Sequence, residues 1–133
     1  SRDLLDWEVG APVTEHGRGF SQLEVPQVHH VDGRWLLVFT CHPDEQTPAQ
    51  RARFGEHCTW SVAGDSPAGP WDVDRARPFR ADPTLFAAPL VQRRDGSWCF
   101  IGFHNRESEG VDGMWISDPL AVRLDGDSLV PAG

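Results

Sequence analysis

The stretch Leu23-Glu24-Val25-Pro26-Gln27-Val28-His29-His30-Val31-Asp32-Gly33-Arg34-Trp35-Leu36-Leu37-Val38-Phe39-Thr40 decides the fold. At its centre stands Asp32-Gly33, a pair that accepts the positive φ angles of a tight type I′ hairpin turn. Upstream runs a segment with Pro26 near its start, where a missing N–H costs a strand least. Downstream, Leu36 to Phe39 are apolar without alternation, as in a strand covered on both faces. The unit reads as a β-hairpin whose second strand lies between two layers.

The unit returns further along. Phe86 to Phe103 carries Pro89, Val91, Asp95-Gly96 and Trp98 where the first copy carries Pro26, Val28, Asp32-Gly33 and Trp35, at one constant offset throughout. Such a period points to a repeat architecture. In the first copy His57 to Ala63 reads as a third strand, residues 64–70 as a turn, and Trp71-Asp72-Val73 as the start of a fourth strand. In the second copy Gly113 to Ile116 takes the third place, Ser117-Asp118-Pro119 the turn and Leu120 to Leu124 the fourth. Antiparallel strands in this order, joined by short turns, build a propeller blade.

The expected fold is therefore all-β, a partial β-propeller of about two four-stranded blades plus an outer strand of a preceding blade. That outer strand is placed at Trp7 to Val13. Residues 1–22 form the end of the preceding blade and a linker, 23–80 the first full blade and 81–133 the second. A two-sheet sandwich is the architectural alternative. Pro43 to Glu56 has no counterpart of equal length and reads as a surface insertion with a short helix over Gln46 to Phe54. Unpaired faces at either end of a two-blade stack predict self-association, or cover by further blades.

Bulk properties narrow the function. The chain has 133 residues, is 39% hydrophobic and carries a net charge of −8. An acidic surface repels phosphate backbones, so no nucleic-acid partner is expected, and a neutral carbohydrate or another uncharged ligand fits better. No run approaches the roughly 18 apolar residues of a membrane span, so no membrane partner is expected. Ser1 to Trp7 lacks a signal-peptide pattern, which leaves a cytoplasmic or a trimmed secreted protein equally open. Cys41, Cys58 and Cys99 have no metal-type spacing and read as buried thiols. His29 and His30 alternate to opposite faces, and His42, His57 and His104 lack ligand spacing, so neither a metal nor another cofactor is expected.

The candidate chemistry starts at Glu24. In a propeller the first strand of each blade lies nearest the axis, and Glu24 opens such a strand. By the offset of the repeat its sister position is Ala87. A carboxyl in a narrow apolar pocket holds its proton to higher pH and serves as a general acid. Second strands end near the same face, which brings His42, His104 and Asn105 to the rim as candidate sugar-binding residues. Gln27 points either to the channel or into a contact between blades. Recurrent tryptophans (Trp35, Trp60, Trp71, Trp98, Trp115) are assigned to packing between blades.

Leu23-Glu24-Val25-Pro26, with the strand, Asp-Gly turn and Trp-Leu-Leu-Val-Phe run behind it, resembles the acid/base segment of five-bladed propeller glycosidases. These are glycoside hydrolase families 32 and 68 and the related families 43 and 62. Trp60 to Trp71 resembles their third strand and turn. The resemblance covers C-terminal blades only. Family 32 typically follows the acid/base Glu with Cys-Pro and family 43 with Gly-Pro; this chain has Val25-Pro26. It implies a hydrolase of the β-fructosidase type with Glu24 as general acid/base. A family 43-like arabinosidase or xylosidase, and a non-catalytic module binding carbohydrate or protein, are the alternatives. The Asp nucleophile and the Arg-Asp-Pro motif of the resembled enzymes are not in this sequence, since Arg2-Asp3 is followed by Leu4. The resemblance thus implies that this chain alone is inactive and that the missing Asp residues belong to earlier blades.

Overall fold

Asp32 and Gly33 adopt φ angles of 47° and 82° in the computed structural model, which describes residues 1–15, 18–105 and 115–133. Two positive φ values in succession make the type I′ turn, whose twist matches that of the strands it joins. It connects β1 (Glu24–Val31) to β2 (Arg34–Thr40), with Val31 opposite Arg34. Strand β3 (Thr59–Gly64) pairs along nearly the whole of β2, and β4 (Arg77–Pro78) closes an antiparallel sheet of order β1-β2-β3-β4.

The second copy uses the same dipeptide differently. At Asp95-Gly96 only the glycine has a positive φ, 87°. Gly96 N–H donates to Arg93 C=O (3.0 Å) and Arg93 N–H to Ser97 C=O (2.7 Å), so three residues, not two, make the loop. The extra residue shifts the register. Val28 pairs with Leu37 in the first copy, but Leu90, not Val91, pairs with the corresponding Phe100. Along the first strand the structural offset is therefore one position shorter than the sequence offset, while along the second strand the two agree. The counterpart of Glu24, opposite Thr40, is Phe86, opposite Phe103. Ala87 is thereby corrected as the sister position.

The first strand of this copy is broken into β5 (Leu85–Phe86) and β6 (Leu90–Gln92). Its partner is divided likewise into β7 (Trp98–Phe100) and β8 (Phe103–His104). Strand β9 (Leu120–Asp125) pairs with β7, and β10 (Ser128–Pro131) pairs with β9, giving the order β10-β9-β7-β6.

Three expected elements move. Leu120 to Leu124 is the third strand, not the fourth; Ile116 bridges to Phe103 and the strand resumes after Pro119. A proline lacks the N–H for the ladder, so Asp118-Pro119 interrupts the strand rather than turning it. Gly113 and Met114 lie outside the described residues. In the first copy Val73–Arg75 is a 3-10 turn and the fourth strand starts at Arg77; Trp71 instead bridges in parallel to Thr14. Trp7 to Val13 forms no strand, and Leu4, Leu5, Trp7 and Val9 stand exposed. The helix of the insertion forms as α1 (Pro48–Phe54), with Thr47 capping it by accepting from Gln50 N–H at 3.3 Å.

Side-chain alternation divides the core in two. Leu36, Val38 and Ala63 face the second sheet and pack on Phe79, Leu85, Ala88, Leu90, Phe100, Val122 and Leu129. Leu37, Phe39, Trp60 and Val62 face the other way, under Phe20, Phe54, Trp71 and Val73. Phe20 stands edge-on to Phe39 and Trp60, with centroids 5.0 and 4.9 Å away. The sheets are also tied by polar bonds. Leu129 N–H donates to Ser61 Oγ (3.0 Å), Ala63 N–H to Asp127 C=O (3.0 Å), and Arg34 and Arg75 both pair with the Asp127 carboxylate. Trp60 and Trp71 are buried and Trp35 and Trp98 pack against the cores, but Trp115 is 40% exposed and is not a core residue.

Candidate functional site

Strands β1 and β6 each lie at one edge of their sheet, and Gln27 joins them. Its Nε2 donates to Ala88 C=O (2.9 Å) and its Oε1 accepts from Leu90 N–H (2.9 Å). His29 Nε2 lies 3.2 Å from the same Oε1, and the His29 ring stands edge-on to Trp98. Burial pushes the His29 imidazole below its ordinary value. Of the two expected placements for Gln27, the structure shows the contact between blades. Gln27→Ala strands a carbonyl and an N–H at the broken strand. A loss of about 2 kcal/mol is expected in urea denaturation, the cost of unpairing part-buried backbone groups.

Glu24 opens β1 and is half-buried. Among the described residues its carboxylate makes no hydrogen bond or ion pair. The Thr40 hydroxyl donates to the Glu24 backbone carbonyl at 3.3 Å, which fixes the chain there. Nearby lies the buried Cys41 thiol, pushed up to about 11 by burial first and then by the charges of Glu45 and Glu24. Cys58, also buried, is pushed up to about 12, chiefly by burial. Neither thiol is a nucleophile at neutral pH.

The backbone leaves the ladder directly after Glu24. Between the Glu24–Thr40 and Gln27–Val38 pairs β1 carries one residue more than β2, a β-bulge. Val25 sits in it at φ 46°, a left-handed conformation hostile to a β-branched residue, and more so before a proline. The second sheet repeats the device: Ala87, one residue after Phe86, has φ 45°. Each first strand is thus kinked immediately after its opening residue. Relief of strain worth roughly 1–3 kcal/mol exceeds the backbone entropy a glycine costs. Val25 is 49% exposed and loses little packing. Val25→Gly is accordingly expected to raise stability by about 1 kcal/mol, read from the urea midpoint; a fall would show that the valine is not strained.

His42 and Asn105 meet at the end of the first sheet where β1 begins, β2 ends and β3 begins. A cleft of about 410 Å³ lies there, between the β2–β3 connection and the start of the second blade. His42, Asp44, Glu56, Cys58, Thr84 and Asn105 are among its walls. His42 Nδ1 accepts from Asp44 N–H at 3.3 Å, capping the 3-10 turn at Pro43–Glu45. Asn105 is held by its N–H on Thr84 C=O (2.9 Å). Glu24 and Gln27 do not line this cleft.

His104 is placed by a residue the sequence reading did not single out. Its Nδ1 lies 2.8 Å from Asp82 Oδ2, with the two side chains only 14% and 10% exposed. The other carboxylate oxygen accepts from Thr84 N–H (2.9 Å) and from the Thr84 hydroxyl (2.7 Å). The Trp115 ring lies tilted against the imidazole, 5.3 Å between centroids. Asp82-Pro83-Thr84 is an Asx-turn signal, but nothing in the sequence links it to His104, on the far side of the Asp95-Gly96 turn. Among the described residues no group of three His, Cys, Asp or Glu is arranged to hold a metal, and no helix is long and apolar enough to cross a membrane.

No protein-family model and no curated protein sequence matches the chain. Solved structures do. A family 32 β-fructofuranosidase of Bombyx mori superposes on 98% of this chain with a TM-score of 0.70 and 17% identity. A levansucrase variant of B. megaterium superposes on 86% with a TM-score of 0.55 and 13% identity. The chain spans 30% and 28% of those chains. At such identities the likeness is one of fold: this chain has the architecture of part of a glycoside hydrolase of the β-fructofuranosidase and levansucrase kind.

Proposed function

We propose that this chain is the acid/base-bearing part of a glycoside hydrolase of the β-fructosidase type, acting on β-fructosides or related furanosides. Glu24 protonates the leaving glycosidic oxygen and, in a retaining reaction, then activates water. The observation that carries this reading is the state of Glu24 itself. The residue is half-buried at the opening of a first strand and before a strained bulge, and its carboxylate makes no hydrogen bond or ion pair among the described residues. A carboxylate serving only the fold would be expected to have a partner.

Glycoside hydrolysis needs a second carboxylate, about 5 Å away for retention or about 6.5–9.5 Å for inversion. In this reading it comes from preceding blades of the whole protein, and residues 1–13, with Leu4, Leu5 and Trp7 exposed, meet the nearest of them. His42, His104 and Asn105 contact sugar hydroxyls at the rim. The parent protein should release fructose from β-fructosides, followed by chromatography of the products. Release of pentose from arabinosides or xylosides instead would move the reading to the family 43-like variant. No hydrolysis of any of them would end it.

A further inference from the structure

The chain carries a net charge of −8, yet arginines gather at the C-terminal end of α1. Arg51 and Arg53 lie in its last turn. The guanidinium carbons of Arg53 and Arg77 stand 4.7 and 5.4 Å from the centroid of one ring, Phe54. His57 lies beside Gly55, the C-cap of α1; burial first, and then the charge of Arg80, hold its imidazole below the ordinary value. Among the described residues Arg51, Arg53, Arg77 and Arg80 make no ion pair, whereas Arg18, Arg34, Arg75 and Arg123 each face a carboxylate. The carboxylates nearest in sequence are engaged elsewhere: Glu56 lines the cleft, Asp74 pairs with Arg18 and Asp82 lies against His104.

The helix explains only half of the cluster. The carbonyl end of a helix favours cations, which accounts for Arg51 and Arg53. Arg77 opens β4 and Arg80 follows it, so both come from another element. Arg77 is also pinned, its Nη1 donating to Arg75 C=O (2.9 Å) and Ala76 C=O (3.0 Å). Two guanidinium groups held on one ring repel each other unless an anion sits between them. Strand β4 is the edge of the first sheet opposite β1, so this face stands apart from Glu24.

The surroundings select the occupant. Protein interfaces are anchored by aromatic and aliphatic side chains. No exposed large hydrophobic among the described residues belongs to α1 or β4, and Phe54 is itself buried. A hydrated polyanion fits such a face better than a protein does. Guanidinium forks match carboxylates with two parallel hydrogen bonds. We infer that Arg53, Arg77 and Arg80 form a docking surface for a carboxylate-bearing polysaccharide, a chain of uronic acids. The inference does not rest on the hydrolase reading.

The test is calorimetric titration of the parent protein with an oligogalacturonate, at low and at physiological salt. Binding is expected, weaker at the higher salt because the contacts are exposed charges. Arg53 and Arg80 are both exposed, and Arg53→Gln with Arg80→Gln should weaken binding about tenfold for each arginine lost. Arg77→Gln should add a similar loss; if it does not fold, having given up two backbone bonds, the exposed pair decides alone. A neutral fructan should not displace the ligand. No binding, unchanged affinity in the double variant, or displacement by the fructan would overturn the proposal. Tighter binding of an oligoglutamate peptide of equal length would overturn it in favour of a protein partner, and equally tight binding of inorganic phosphate in favour of a small-anion site. Hydrolysis is not read, so a wrong role for Glu24 would show separately.

Discussion

Glu24→Gln in the parent protein should lower kcat on an unactivated glycoside about a thousandfold, the middle of the range for a lost general acid. The substitution keeps the shape of the side chain and removes the proton the leaving oxygen needs. The Glu24 carboxylate makes no hydrogen bond or ion pair among the described residues, so the fold does not depend on its charge. Stability should accordingly stay within about 0.5 kcal/mol. The leaving group supplies the sharper criterion. A substrate with an acidic aryl leaving group needs little protonation, so its bond cleavage should suffer far less than that of a natural fructoside. A uniform loss on both would indicate misplacement of substrate rather than loss of an acid. Unchanged hydrolysis of both would remove Glu24 from the chemistry and leave a propeller part that binds without cleaving.

Much of this architecture was legible because hairpins are local. Asp32-Gly33 and the apolar run behind it specify a turn and a strand within one short segment, and both form as read. The register of the second copy was not legible. Asp95-Gly96 offers the same residues, but only Gly96 turns to positive φ, and one extra loop residue slides the first strand by one position. A slip of one residue exchanges which side chain opens the strand, so Phe86 replaces Ala87 as the sister of Glu24. Pro26 and Pro89, matched by sequence, consequently do not share a place in the fold. Asp82 was missed for a related reason: an Asx-turn announces its own local bonds, whereas the pairing with His104 depends on the closing of β5 on β8. Trp71 shows the limit from the other side. Its place in the core was expected, but its bridge to Thr14 needs a segment that carries no strand pattern.

The interface between the blades should be where the chain's stability is concentrated, and Phe100→Ala measures it. Phe100 is fully buried and stands edge-on to Phe79 at 5.1 Å between centroids, within the core shared by both sheets. Removing a buried phenyl forfeits its transfer free energy and leaves a cavity, together costing about 3–5 kcal/mol. That is a large part of the roughly 5–15 kcal/mol that a small domain has. The sheets meeting there cannot easily close the gap, because Leu129 N–H on Ser61 and Asp127 with Arg34 and Arg75 hold them at a fixed separation. Urea denaturation should show a fall of that size with a single transition. Phe100→Leu, which fills most of the space, should lose only about 1–2 kcal/mol. A loss under about 1 kcal/mol for the alanine variant, or two separated transitions in the unsubstituted chain, would mean that the two sheets do not depend on their shared core. In that case the placement of Asp82 and His104 relative to Glu24 would rest on Gln27 and the Asp127 ion pairs rather than on apolar packing. Repeating the measurement in a Gln27→Ala background distinguishes the two: additive losses indicate independent supports, and a combined loss beyond the sum indicates that clamp and core hold the same joint.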